Sequence, residues 1–397
     1  MNWKQRILST INGQDTDVLP FIPRLDLWYK SNSYKKTLPV KYRKATLMEI
    51  TQDLDIGYHA VIPDFRDFEQ SSDNIGLSLG IINLINNCYR VDFKNIEYKM
   101  IEKDGLTTIR FLTPSGNITT RFLYNESMRE AGATIGHTVE HAIKSKDDYD
   151  AVGYIYNNLE IIPKYEDFSR FQGYIGNRGE AIAYNMLSAS PVHLIMKELM
   201  PFELFIYELN DRPKEIDKLG QKIKIFFDKL FDVVLGSPAE IILSGANYDS
   251  FLTWPNFFAK YITPYLKEQS EKAHEKGKYL LTHPDGENKG LIDQFIKGDI
   301  DIADSICPDP MTSLSLEEIR KIFAEKITIW GGLPSICVLK DSMNDNEFER
   351  YIDSIFESIG KGDHLILSFA DTTPPDADFD RILKVAEKAR RFGPVKP

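Results

Sequence analysis

Residues 280–286 read LLTHPDG, an apolar run that ends in His283 and, two positions on, Asp285. An imidazole and a carboxylate at that spacing can share a divalent cation or pass a proton. An H-x-D triplet is frequent by chance, so its weight depends on what else in the chain is placed alike. Several other apolar runs end in the same manner. The segment 18–26 closes on Arg24 and Asp26, and 57–64 closes on Asp64. The run 239–245 leads into GANYDS, with Asn247 and Asp249. The run 299–306 carries Asp304 and precedes Cys307, 326–332 ends in Gly331-Gly332, and 364–370 precedes Asp371.

His283, Asp285, Asp371 and Cys307 suffice chemically for a zinc site with an open position. A metal-free acid/base cluster is an equally simple reading, in which neighbouring carboxylates drive one another's pKa values apart. Cys307 precedes Pro308 and, outside a metal site, reads as a small buried hydrophobe. Gly331-Gly332 would let a ligand approach the backbone closely, and Asn247 with Asp249 would orient it. Any one of these aspartates could cap a loop; the set is what points to a functional mouth. The motif HTVEH, residues 137–141, matches a zinc-peptidase pattern that requires a helix. Here it precedes a Ser145-x-x-Asp148 cap and reads as a strand, along which the two histidines stand too far apart to share an ion. No P-loop, dinucleotide fingerprint or nucleophile elbow occurs.

The elements that would carry these residues alternate regularly in the second half of the chain. Strands are expected at 239–245, 278–283, 299–306, 326–332 and 364–370, each apolar and each followed by a helical pattern. The helix at 313–325 starts on Ser315 with acidic residues in its first turn. The N-terminal half adds strands at 18–26 and 57–64 and a third within 170–190. Three and five make eight. The expected fold is therefore a (β/α)8 TIM barrel in one domain over 1–397, and in such a barrel the active site lies at the C-terminal ends of the strands. Residues 88–142 break the rhythm. They alternate polar and apolar residues around Asp104-Gly105 and Ser115-Gly116, which marks an antiparallel β-hairpin insertion between the second and third strands.

Composition excludes some partners. The 397 residues carry 48 Lys+Arg against 59 Asp+Glu, a net charge of −11. With no basic stripe, neither nucleic acid nor an anionic membrane surface is an expected partner. No 18-residue apolar run exists to span a bilayer. Three cysteines, Cys88, Cys307 and Cys337, contain no C-x-x-C pair and suit a reducing cytoplasm. The opening segment lacks the long apolar stretch of a signal peptide.

The order of features resembles the uroporphyrinogen decarboxylase superfamily, which also contains zinc-dependent, corrinoid-linked methyltransferases. The resemblance is carried by RILSTINGQDTDVLPFIPRLDLWY (6–29), SASPVHLIMKEL with DRPKEIDKL (188–219), GANYDSFLTWPNFFAKYITPYLKE (245–268), THPDGENKGLIDQFIKGDIDIADSICPDP with ITIWGGLPS (282–310, 327–335) and GDHLILSFADTTPPDADFDRI (362–382). It covers most of the chain apart from 88–142. True uroporphyrinogen decarboxylases open with an arginine-rich motif that grips several carboxylates; here the region is IPRLDLWYKSN, with Arg24 as its one arginine. The methyltransferase branch typically shows H-x-C and a distant second cysteine around zinc. Here His283-Pro284-Asp285 and Asp371 stand in those places, and oxygen ligands would leave zinc a harder Lewis acid.

The resemblance thus implies a methyltransferase or O-demethylase. It would demethylate a small substrate, such as a methoxylated aromatic, and pass the methyl group to cobalamin on a separate corrinoid protein. His283, Asp285 and Asp371 would bind zinc or act as acid/base groups, and a homodimer is compatible with the sequence. The alternative within the resemblance is a cofactor-free decarboxylase, with Asp64 stabilising developing positive charge and Arg24 holding a carboxylate. A catalytically silent binding protein on the same scaffold is the third class.

Overall fold

The computed structural model of the chain describes residues 1–60, 73–130, 133 and 136–397. It is a mixed α/β protein with two compact units. One comprises Met1–Val61, Gln172–Ile182 and Ala246–Pro397; the other comprises Ile62–Phe171 and Ala183–Gly245. Among the described residues no helix is long and apolar enough to cross a membrane.

In the first unit, four parallel strands lie side by side: Tyr279–His283, Ile302–Ile306, Thr328–Pro334 and Leu365–Ala370. The last three are buried along their whole length, as uninterrupted apolar runs covered on both faces should be. Each is followed by a helix. Leu316–Phe323 is started by a capping box between Ser315 and Glu318, which satisfies two otherwise orphaned backbone donors. Pro255–Phe257 and Thr263–His274 form one helical segment joined by a π-type turn over Phe258–Ile262. Pro264, with no N–H to give to the preceding turn, accounts for that widening.

The Ile302–Ile306 strand carries a register shift. Asp304 pairs with Trp330, but Ile306 pairs with Gly331, and Ser305 between them adopts φ 60. Such a bulge re-aims side chains, and it matters for the site described below.

Two strands expected in this unit do not form as regular strands. Segment 18–26 is reduced to a single parallel bridge, Phe21 with Leu367, before the helix Asp26–Lys35 begins. Pro20 and Pro23 explain this, since neither has an N–H to extend a ladder. What pairing remains runs from Ile22 N to Leu367 O and from Leu367 N to Pro20 O, at 2.9 and 2.8 Å. Residues 57–60 likewise form no regular strand, and the rest of the expected 57–64 strand lies outside the described residues. Gly57 N nevertheless donates to Phe21 O, and Ile182 N to Ala60 O. The regular parallel strands therefore number six among the described residues where a closed barrel calls for eight.

The other two parallel strands are Ile182–Met186, within the expected 170–190, and Ile241–Ala246, its neighbour. Asn185 Nδ2 donates to Ser244 Oγ across that pair at 3.0 Å. The second unit also holds an antiparallel sheet in the order Glu97–Lys103, Leu106–Thr113, Gly116–Leu123, His137–Glu140. Asp104 and Gly105 both have positive φ, 52° and 76°, as the tightest hairpin turn demands. Ile109, Phe111, Ile118 and Phe122 are buried, on alternate positions of two strands. The beginning of the 88–142 segment differs from the expected hairpin. Tyr89–Asp92 pairs instead with Glu160–Pro163, beyond the segment. Buried Tyr89, whose hydroxyl donates to Asn185 O at 2.5 Å, fixes that choice.

Candidate metal centre

Side chains from three parallel strands and from the segment 20–26 meet in the first unit. His283 is the last residue of its strand and only 6% exposed. Its Nδ1 lies 2.6 Å from an Asp304 carboxylate oxygen, and its Nε2 lies 3.1 Å from Asp371 Oδ1. Asp304 is 2% exposed, and its other oxygen stands 3.8 Å from His59 Nε2. That distance is too long for a hydrogen bond. His59 in turn rests edge-on against Trp330, with ring centres 5.2 Å apart.

Asp371 follows directly on the strand Leu365–Ala370. Arg24 Nη1 donates to it at 3.1 Å, and the Ser305 hydroxyl donates to its backbone oxygen at 3.2 Å. In a regular strand Asp304 and Ser305 would point to opposite faces. The bulge at Ser305 lets both contribute here, one to the histidine and the other to Asp371. Arg24 also sits 3.4 Å from Asp26 Oδ1, so its charge is engaged on two sides.

Ligand atoms of His283, Asp285 and Asp371 lie within 4.8 Å of one another, the one such group of three among the described residues. The donor set is one imidazole nitrogen and two carboxylate oxygens. This set fits zinc, which takes both donor types and in catalytic sites has three protein ligands and an open position. The Asp304 carboxylate stands behind the imidazole, at the place where a metal-bound histidine almost always has a hydrogen-bond partner.

The electrostatics follow from this crowding. Burial pulls the His283 imidazole down, but the carboxylates of Asp371 and Asp304 outweigh it and raise its pKa to about 10. Burial pushes Asp304 up, yet His283 and His59 hold it down at about 2. Asp371, pushed up by burial, is held well below the ordinary carboxylate range by His283 and Arg24. Asp285 goes the other way. Burial raises it, and against the pull of His283 the charges of Asp371 and Asp304 add to the rise. Arg24 stays above its ordinary value because Asp26, Asp371 and Asp304 more than offset its burial.

The remaining candidates fall in different places. Cys307 is outside the group of three; its thiol donates to Pro308 O, and burial with the nearby Asp285 and Asp371 pushes it up to about 12. It is a free, buried cysteine. Gly331 and Gly332 are buried and lie against the protein's own atoms. A Cβ on Gly331 would stand 2.6 Å from Ile306 O, and one on Gly332 would stand 3.2 Å from Leu316 Cδ2. Gly331 is what lets the bulged neighbouring strand approach, and Gly332 makes room for Leu316 of the helix Leu316–Phe323. Asp249 organises loops: its carboxylate accepts from Phe251 N at 2.8 Å and Glu287 N at 3.3 Å. Asn247 is exposed, in a left-handed conformation, and its N–H donates to His283 O. Asp64 lies outside the described residues. In the second unit, HTVEH holds the strand His137–Glu140, and His141 Nδ1 faces Glu198 O at 2.9 Å.

Sequence reading placed Asp304 at a strand end without a role and passed over His59. Nothing periodic marks His59; a histidine before the apolar AVI of 60–62 was the sole signal.

No family model and no curated protein matches the chain. Among solved structures it is similar to a methyltransferase from Methanosarcina mazei, with a TM-score of 0.55 and 12% identity over 98% of each chain. At that identity the likeness speaks for the fold.

Proposed function

We infer that this protein is a metal-dependent methyltransferase of the uroporphyrinogen decarboxylase superfamily. It removes a methyl group from a small methoxylated substrate and passes it to the cobalt of a separate corrinoid protein. The observation that carries the reading is the convergence of His283, Asp285 and Asp371, with Asp304 2.6 Å behind the imidazole. The structural neighbour bears the name methyltransferase, in agreement with it.

His283, Asp285 and Asp371 would hold zinc. Bound there among oxygen ligands, zinc supplies a hard Lewis acid for the oxygen that parts from the methyl group. Arg24 and the Ser305 hydroxyl hold Asp371 in place, and Asp304 holds His283. A decarboxylase acting on a polycarboxylate is disfavoured by Arg24. It is the one arginine of the opening motif and is already engaged by Asp26 and Asp371, whereas several carboxylates need several fixed cations.

The test is metal analysis of freshly purified protein, with methyl transfer from methoxylated aromatics to reduced cobalamin followed by absorbance. One zinc per chain, lost in His283→Ala, is the expected result. A wild-type chain without bound metal, even after zinc is supplied, overturns the reading.

A further inference from the structure

We propose that Asp304 is a positioning residue that acts through His283, holding the ring proton on Nδ1 so that Nε2 is the atom presented to Asp285 and Asp371, with His59 supporting Asp304 from its other side. The proposal rests on the metal reading above and adds residues to it that are not themselves ligands.

Three features of the geometry support it. The Nδ1 contact, at 2.6 Å, is shorter than the 3.1 Å contact of Nε2 with Asp371, so the stronger tie lies on the side away from the cluster. Asp304 is buried and Asp371 is partly exposed. An incoming cation therefore meets Nε2 and Asp371 first, and Asp304 stays behind the ring. Finally, the bulge at Ser305, with φ 60, is a local irregularity that lets Asp304 face the histidine while Ser305 reaches Asp371.

The chemistry explains why this placement matters. A neutral imidazole carries one proton, and the nitrogen that carries it cannot bind a metal. A carboxylate accepts only, so it selects the tautomer with the proton on Nδ1 and leaves the Nε2 lone pair free. An amide in its place can donate instead. It would then accommodate the opposite tautomer, with the proton on the very atom the metal needs. His59, its ring edge-on against Trp330, keeps the other Asp304 oxygen from turning away. Removal of such outer partners typically lowers metal affinity by roughly 10–100-fold.

The experiment is a zinc titration of the full chain against a chromogenic chelator, for wild type, Asp304→Asn and His59→Phe, with thermal midpoints recorded in parallel. The expected result is zinc affinity lower by roughly 10–100-fold in Asp304→Asn, and lower by a smaller factor in His59→Phe. Zinc on the wild type with equal affinity in folded Asp304→Asn overturns this proposal and leaves the metal reading standing. No zinc on the wild type removes the metal reading, and this proposal with it. If Asp304→Asn does not fold, ring-nitrogen NMR of the zinc-loaded wild type decides. A proton on His283 Nδ1 supports the proposal; a proton on Nε2 overturns it.

Discussion

Arg24 and Asp371 are 347 residues apart along the chain, yet the guanidinium Nη1 and the carboxylate Oδ1 meet at 3.1 Å. The same carboxylate oxygen faces His283 Nε2. Asp371 is thus shared between a permanent cation and a titrating ring, and Arg24 sets how much negative charge the cluster keeps. Arg24→Ala is expected to cost about 1.5–3 kcal/mol of stability, the range for a hydrogen bond to a charged group. Arg24→Lys is expected to recover only part of this, because an ammonium cannot reach Asp26 and Asp371 with one rigid fork. Urea unfolding of the two variants checks both claims.

Were His283 a solvent-facing residue at a strand end, its truncation would cost little stability. The structure buries it against Asp304, and that changes the expectation. His283→Ala leaves an uncompensated buried carboxylate, for which about 3–5 kcal/mol is typical. The double variant His283→Ala/Asp304→Ala should be more stable than His283→Ala alone, since the stranded charge is gone. If the two substitutions prove additive in chemical unfolding, the ion pair is not the cause.

In metal-free protein the cluster sets a pH window. The pKa of His283 rises from an ordinary 6.5 to about 10 on folding. Its contribution is therefore complete below 6.5 and is lost as pH climbs through about 10. Asp304 is lowered from 3.8 to about 2, so its contribution is complete above 3.8 and is lost as pH falls through about 2. Thermal midpoints of the metal-free wild type should therefore decline between pH 6.5 and 10. In His283→Gln that alkaline decline should be much shallower. Equal slopes for the two proteins would remove His283 as the titrating group.

A buried arginine on the helix Phe379–Phe392 anchors the chain beyond the strand Thr328–Pro334. Arg381 donates to the carbonyls of Cys337, Leu339 and Met343 and pairs with Asp345. Arg381→Ala is expected to destabilise the protein by about 3 kcal/mol or more, since each charged hydrogen bond contributes roughly 1.5–3 kcal/mol. Asp345→Ala should cost far less, because that carboxylate is largely exposed and surface pairs contribute little. Thermal unfolding of the two variants separates the carbonyl contacts from the ion pair.

The sequence by itself determined the rhythm of the second half of the chain, because burial on both faces writes an uninterrupted apolar run into each strand. Tyr279–His283, Ile302–Ile306, Thr328–Pro334 and Leu365–Ala370 are local statements of that kind, and so are the turns at Asp104-Gly105 and Ser115-Gly116. His283, Asp285 and Asp371 were legible as strand-end residues for the same reason. What tertiary structure alone decided is which of them face one another. Pro20 and Pro23 left 18–26 with a single bridge, an outcome that depends on which backbone donors a neighbour needs. Gly331 serves the approach of Ile306, and Gly332 packs under Leu316. Above all, one left-handed residue, Ser305, shifts the register so that Asp304 reaches His283 while Cys307 stays outside the cluster. Strand periodicity fixes the side a residue takes only until a bulge interrupts it, and the partner across the sheet, not the local sequence, sets where that bulge falls.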